Sequence, residues 1–221
     1  MNLITKFALS SIALITTSTA TTIVTTDVIS WDLSTGTATV DPNATTISGG
    51  SATAGPGLSS VNFTANGFGG TENSGLLDSS PNLATVIADG QYLSFSVTPG
   101  NQDFTNLTFD YYINTVDRSS NTVVLMSSVD GFTDGSEIAS YTNSTAGSTA
   151  AVSFDVSSYT SETSAVEFRL YLYGKGSSPN AGSETFISNL ALEGPVTVPE
   201  PSSFALLGLG ALAILARRKR A

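Results

Sequence analysis

The chain has 221 residues, a formal net charge of -10, only 12% charged residues, no cysteine and no histidine. Such a length suits one medium domain plus targeting segments, and the charged fraction is about half of the roughly 25% usual for soluble proteins. The two zeros exclude disulfide scaffolds, Cys/His zinc sites, thiol nucleophiles and Ser-His-Asp chemistry, and an acidic surface repels the phosphate backbone, which argues against nucleic acid as a partner.

The first segment places Lys6 before an apolar stretch, Phe7 to Ile15, and then Ser18-Thr19-Ala20. A positive residue, a short apolar run and small residues at the cut read as a secretory signal peptide, residues 1–20, cleaved after Ala20. The alternative is a buried first helix, but the text after Ala20 turns Thr-rich and strand-like. The body is then expected over residues 21–196.

Between Thr21 and Val198 there are three basic residues, Arg118, Arg169 and Lys175, against seventeen acidic ones, a net charge of -14. The pattern here has period two. Weaker runs at Val24 to Leu33, Thr37 to Val40, Leu58 to Ala65 and Ala84 to Ala88 precede two clear ones. Leu93, Phe95 and Val97 alternate with polar neighbours, as do Leu107, Phe109, Tyr111 and Ile113. Further runs follow at Thr122 to Ser128, Ala151 to Val156, Ala165 to Tyr173 and Thr185 to Leu192. Such alternation predicts strands with one buried face. Gly49 to Gly75 is glycine-rich and poor in large apolar residues, so a long loop is expected there, and no helix is expected in the body. Turn chemistry such as Asp89-Gly90, Pro99-Gly100-Asn101 and Asp130-Gly131 separates the runs. About ten strands without crossover helices predict an all-β fold, an antiparallel two-sheet sandwich of jelly-roll-like type.

If Leu93, Phe95, Phe109, Phe168, Leu170 and Leu172 face the core, then Tyr92, Tyr112, Tyr171 and Tyr173 fall on outer sheet faces. Such rings can stack on the C–H face of a sugar, which makes these four the candidate glycan-binding residues; the alternative is cross-strand pairs that only stabilise the sheet. Trp31, the single tryptophan, reads more readily as a core anchor than as a platform. Asp130-Gly131-Phe132-Thr133-Asp134-Gly135 has two carboxylates about a turn but lacks calcium-loop spacing, so no metal site is assigned. Gly174-Lys175-Gly176-Ser177 reads as a hairpin turn rather than a phosphate loop. Four Asn-x-Ser/Thr sequons, at Asn43, Asn62, Asn106 and Asn143, matter only in a host that glycosylates them. No catalytic residues and no cofactor are expected, since a carboxylate pair is permitted by composition but lacks the Arg, Trp and His that usually hold a substrate beside it.

The chain closes with Val198-Pro199-Glu200-Pro201, thirteen apolar or glycine residues from Phe204 to Ala216, and Arg217-Arg218-Lys219-Arg220. Two prolines withhold backbone donors, so the strip at Pro199-Glu200-Pro201 is expected to be extended and open to a processing enzyme. The apolar run predicts a short transmembrane helix, and the basic tail resists crossing and holds that end in the cytoplasm. Order, spacing and terminal position resemble the PEP-CTERM sorting signal, expected over residues 197–221. That resemblance implies cleavage near Pro199-Glu200-Pro201 by exosortase, a transient stay in the cytoplasmic membrane, and delivery to the cell surface or extracellular space. A plain membrane anchor after a proline linker is the alternative. Leu107-Thr108-Phe109-Asp110-Tyr111-Tyr112, Ser127-Ser128-Val129-Asp130-Gly131-Phe132 and the closing Phe186-Ile187-Ser188-Asn189-Leu190-Ala191-Leu192-Glu193-Gly194 resemble the sandwich bodies often found ahead of such signals, and the closing segment also resembles the last strand of jelly-roll carbohydrate-binding modules. The expected role is that of an exported bacterial structural or adhesive protein linked to extracellular polysaccharide, with a specific carbohydrate-binding module as the alternative.

Overall fold

The computed structural model describes residues 21–44, 46–58, 62–64, 67–71, 82–116, 119–174 and 184–199. The signal segment with Ala20, and Glu200, Pro201, Arg217, Arg218, Lys219 and Arg220, lie outside the described residues, as do the two helices expected at the ends. One compact unit spans residues 23–196; a second, 1–22 with 197–221, lies almost wholly outside the described residues. No helix among the described residues is long and apolar enough to cross a membrane.

In chain order the strands are β1 (Thr21–Asp32), β2 (Thr37–Val40), β3 (Ser48–Gly49), β4 (Thr53–Ala54), β5 (Asn62–Thr64) and β6 (Gly67–Thr71). Helix α1 (Leu83–Ala88) follows, then β7 (Tyr92–Thr98), β8 (Asn106–Ile113), β9 (Thr122–Ser127), β10 (Ala139–Thr142), β11 (Ser148–Asp155), β12 (Val166–Tyr173) and β13 (Glu184–Pro199). They form two antiparallel sheets. Sheet A has the order β11-β8-β13-β1-β2, with β6 also on β13 and β5 on β6; sheet B has the order β10-β9-β12-β7-β3, with β4 also on β7.

The inward positions of both sheets form one core. Sheet A contributes Ile29, Trp31, Leu107, Phe109, Tyr111 and Ile187, and sheet B contributes Leu93, Phe95, Val97, Phe168 and Leu170. Across the gap the Trp31 and Phe95 rings lie 4.8 Å apart, and Trp31 Nε1 donates to the Gly50 carbonyl at 2.8 Å. Trp31 is therefore a core anchor with its one polar atom satisfied. Each such apolar side chain contributes about 1.5–3 kcal/mol by leaving water.

Two expectations about the body are corrected. Ala84 to Ala88 lies in a helix, not a strand. Asn82 caps it, its side chain accepting from the Thr85 N–H at 3.0 Å, and Leu83 and Val86, three apart, are both buried. The β-branched Thr85, Val86 and Ile87 gave strand-like text, but the packing partner below selected the helical period. Gly49 to Gly75 is not a single long loop, because β4, β5 and β6 fall within it. Gly69 pairs with Phe186 of β13 at a φ of 148°, and a Cβ there would collide with the Thr185 carbonyl, so glycine marks close backbone approach rather than slack chain.

Candidate functional site

The four sequence-predicted tyrosines do not form one row. Tyr92, Tyr171 and Tyr173 lie on the outer face of sheet B, whereas Tyr112 lies on the outer face of sheet A. Tyr171 is fully buried, which corrects the expectation that it is displayed to solvent. Its strand partners Tyr92 and Val124 flank it, with Met126 and, from α1, Leu83 and Val86 completing a second apolar cluster. The Tyr92 and Tyr171 rings meet edge-on at 5.4 Å. Burial pushes the Tyr171 and Tyr173 hydroxyls above the ordinary tyrosine value. Tyr171 is thus a packing element of that cluster, and Tyr92 and Tyr173 pack against it while staying partly exposed.

Phe132, which the sequence reading left without a role, helps to close the same face. The Arg169 guanidinium lies 3.7 Å from the Phe132 ring centre and 4.1 Å from that of Tyr92, and its Nε donates to Glu167 Oε1 at 2.7 Å. Arg169 is the only basic side chain among the described residues, and its charge is already matched by two rings and a carboxylate.

The Asp130 loop is organised from within. Ser127 Oγ donates to Asp130 Oδ2 at 2.6 Å, and the Tyr159 hydroxyl donates to the same oxygen. Those bonds, Ser127 first and Tyr159 second, hold the Asp130 carboxyl below its ordinary value. Nearby, the Gly135 N–H donates to Glu137 Oε1 at 3.0 Å. No group of three or more metal-ligating side chains occurs among the described residues. Of the sequons, Asn143 is buried and donates to the Tyr111 and Ser148 carbonyls at 3.3 Å, a structural use of its amide.

The outer face of sheet A is different. Tyr112 and Phe186 are direct register partners on β8 and β13, both partly exposed, with ring centres 6.3 Å apart and planes tilted by 35°. Two residues along β8 from Tyr112 is Asp110, whose Oδ2 accepts from Asn189 Nδ2 at 2.7 Å. Asn189 sits in a β-bulge, where β13 uses three steps from Ser188 to Ala191 against two on β8, and it adopts a φ of 51°. The left-handed conformation is tolerated by asparagine and fixed here by the Asp110 contact. Around the bulge lie three shallow depressions of about 310, 350 and 330 Å³. The first two share Asn189, and the third lies between Tyr112 and Phe186. Sequence reasoning missed Phe186 and Asn189. The alternation that turns Ile187 inward also turns Phe186 outward, so that signal was present; the bulge has no comparable sequence mark.

At the other functional segment, β13 leads straight into the proline strip. Val196 is buried, Thr197 and Val198 are exposed, and Pro199 is the last described residue. Gln102 Nε2 donates to the Pro195 carbonyl at 2.6 Å and fixes the strand just before that exit. Strand β13 is thus pinned at Pro195, four residues before the first proline of Pro199-Glu200-Pro201.

Comparison with known proteins adds one match. Residues 197–220 match the family model of the PEP-CTERM protein-sorting motif, which bears out the resemblance carried by the prolines, the apolar run and the basic tail. No curated protein and no solved structure matches the chain. The match covers the sorting segment and leaves the body to be read from its own residues. The chain carries a PEP-CTERM protein-sorting motif at residues 197–220, and that motif indicates an exported protein sorted by exosortase toward the cell surface.

Proposed function

We propose that this is a structural or adhesive protein of the bacterial cell surface or extracellular matrix, linked to exopolysaccharide and made by cutting a jelly-roll-like sandwich free of its sorting segment. In this reading residues 1–20 are removed after Ala20. The apolar run after Ser203 parks the chain in the cytoplasmic membrane with Arg217, Arg218, Lys219 and Arg220 inside, and cleavage falls near Pro199-Glu200-Pro201. The observation that carries it is the sorting motif at 197–220, which follows the last buried residue of the body, Val196, without an intervening domain. Binding and coating, rather than catalysis, is the proposed mode of action. The absence of histidine and cysteine and the self-contained surroundings of Arg169 support it. The second reading, a specific carbohydrate-binding module, is favoured by the Tyr112 and Phe186 pair.

Mass spectrometry of the mature protein from its native host tests the sorting claim at both ends. The expected form begins at Thr21 and lacks Arg217 to Ala221. Secreted copies that mostly retain those last residues, or a protein that stays in the cytosol, would overturn it.

A further inference from the structure

We propose that the outer face of sheet A is a binding site for a neutral polysaccharide, with a sugar ring stacked on Tyr112 and Phe186 and its hydroxyls bonded to Asp110 and Asn189. The proposal rests on the surface reading above, since only an exported body meets such a polymer.

Three features of this face point to that ligand. The first is the ring pair. Tyr112 and Phe186 are partly exposed, register-paired and tilted by 35°, which makes a shallow apolar plate suited to the C–H face of a pyranose. On the opposite sheet the rings are covered by α1 and by Arg169, so the pair on sheet A is not the general fate of aromatic residues in this body. The second is the polar pair beside it. Asp110 and Asn189 hold each other at 2.7 Å, and between them they still offer carboxylate and amide oxygens and an amide hydrogen, the mixed acceptors and donor that adjacent hydroxyls need. The β-bulge sets Asn189 at a φ of 51° and turns its amide toward Asp110 on the outer face.

The third feature is extent and charge. The depressions run across the face from β11 to β2, four strand spacings or roughly 19 Å, which suits an oligosaccharide stretch rather than one sugar. Asp27, Asp32, Asp110, Glu184 and Glu193 line them, and none of the three is lined by a basic residue. Uronate or sulfate groups would be repelled there, which excludes anionic polymers, and the apolar ring pair fits the C–H face of an uncharged sugar.

Affinity electrophoresis tests this with the full chain in mild detergent, run through gels containing galactomannan, hydroxyethylcellulose or dextran as neutral polymers and alginate or polygalacturonate as anionic ones. At least one neutral polymer should retard the protein and neither anionic polymer should. Phe186→Ala and Tyr112→Ala should each weaken retardation by about tenfold, one step of about 1.4 kcal/mol. Tyr112→Phe, which keeps the ring, should retain most of it, and Asp110→Asn should weaken it without a change of side-chain size. Tyr92→Ala, on the other sheet, should bind as the parent does, and circular dichroism melts verify folding of each variant. Retardation by no neutral polymer, retardation by anionic polymers alone, or unchanged binding in both ring-to-alanine variants and Asp110→Asn would overturn the site. Such a failure would leave the terminal masses of the mature protein, and hence the sorting claim, untouched.

Discussion

The outer faces of the two sheets carry similar aromatic residues and treat them in opposite ways. On sheet B, Tyr171 and its neighbours Val124 and Met126 lie beneath α1, and Arg169 is held between Tyr92 and Phe132. On sheet A, Tyr112 and Phe186 remain partly exposed next to a polar bulge. The difference lies in what surrounds the rings. Val124 and Met126 make the outer side of β9 apolar as well as the inner side, so that face must be covered. The outer side of β8 is Asn106, Thr108, Asp110 and Tyr112, which water or a hydroxylated ligand satisfies without a lid. An outward tyrosine is therefore packing or platform according to its neighbours across the strand.

The sharpest way to break this contrast is a pair of truncations. Tyr171→Ala should cost about 3–5 kcal/mol, as for other large buried rings. Tyr112→Ala should cost under about 1 kcal/mol, the scale of a cross-strand pair. Urea unfolding measures both, and equal losses would mean that the two faces are not distinct. A smaller effect is expected at the lid itself. Asn82→Ala removes the cap of α1 and should cost about 1 kcal/mol, with faster amide exchange in α1 and beneath it but not on sheet A. Smallest is the acid response of the loop that brings Phe132 over sheet B. Asp130 titrates below its ordinary 3.8 when folded, so its contribution is fully present above that value and is lost as the pH falls through the lower folded value. Asp130→Asn should therefore weaken the fold at neutral pH and flatten the acid side of a circular-dichroism titration below about pH 4. An unchanged acid limb would show that the Ser127 and Tyr159 bonds do not contribute.

Much of the sandwich was legible because its central strands alternate cleanly. β7, β8 and β12 each place apolar residues at every second position, and that pattern both forms the strand and selects its buried face. The pattern was silent about order. Tyr112 and Phe186 are 74 positions apart in sequence, and only the pairing of β8 with β13 makes them neighbours. Helix α1 was misread because six residues give too few turns for a period to stand out, and β10 was not anticipated because its four residues, Ala139 to Thr142, carry little apolar signal. The sorting segment was the reverse case. Its three blocks are contiguous in the chain, so no tertiary knowledge was needed to see it.

Strand β13 is central in sheet A and last in sequence. Until it arrives, β8 and β1 face each other across a gap, each with an unpaired backbone edge. The sheet is a keystone arch whose central stone is the last of the described strands. Without β13 sheet A would fall into two separate halves, β11-β8 and β1-β2, and the strand that joins them runs into the segment that matches the sorting motif.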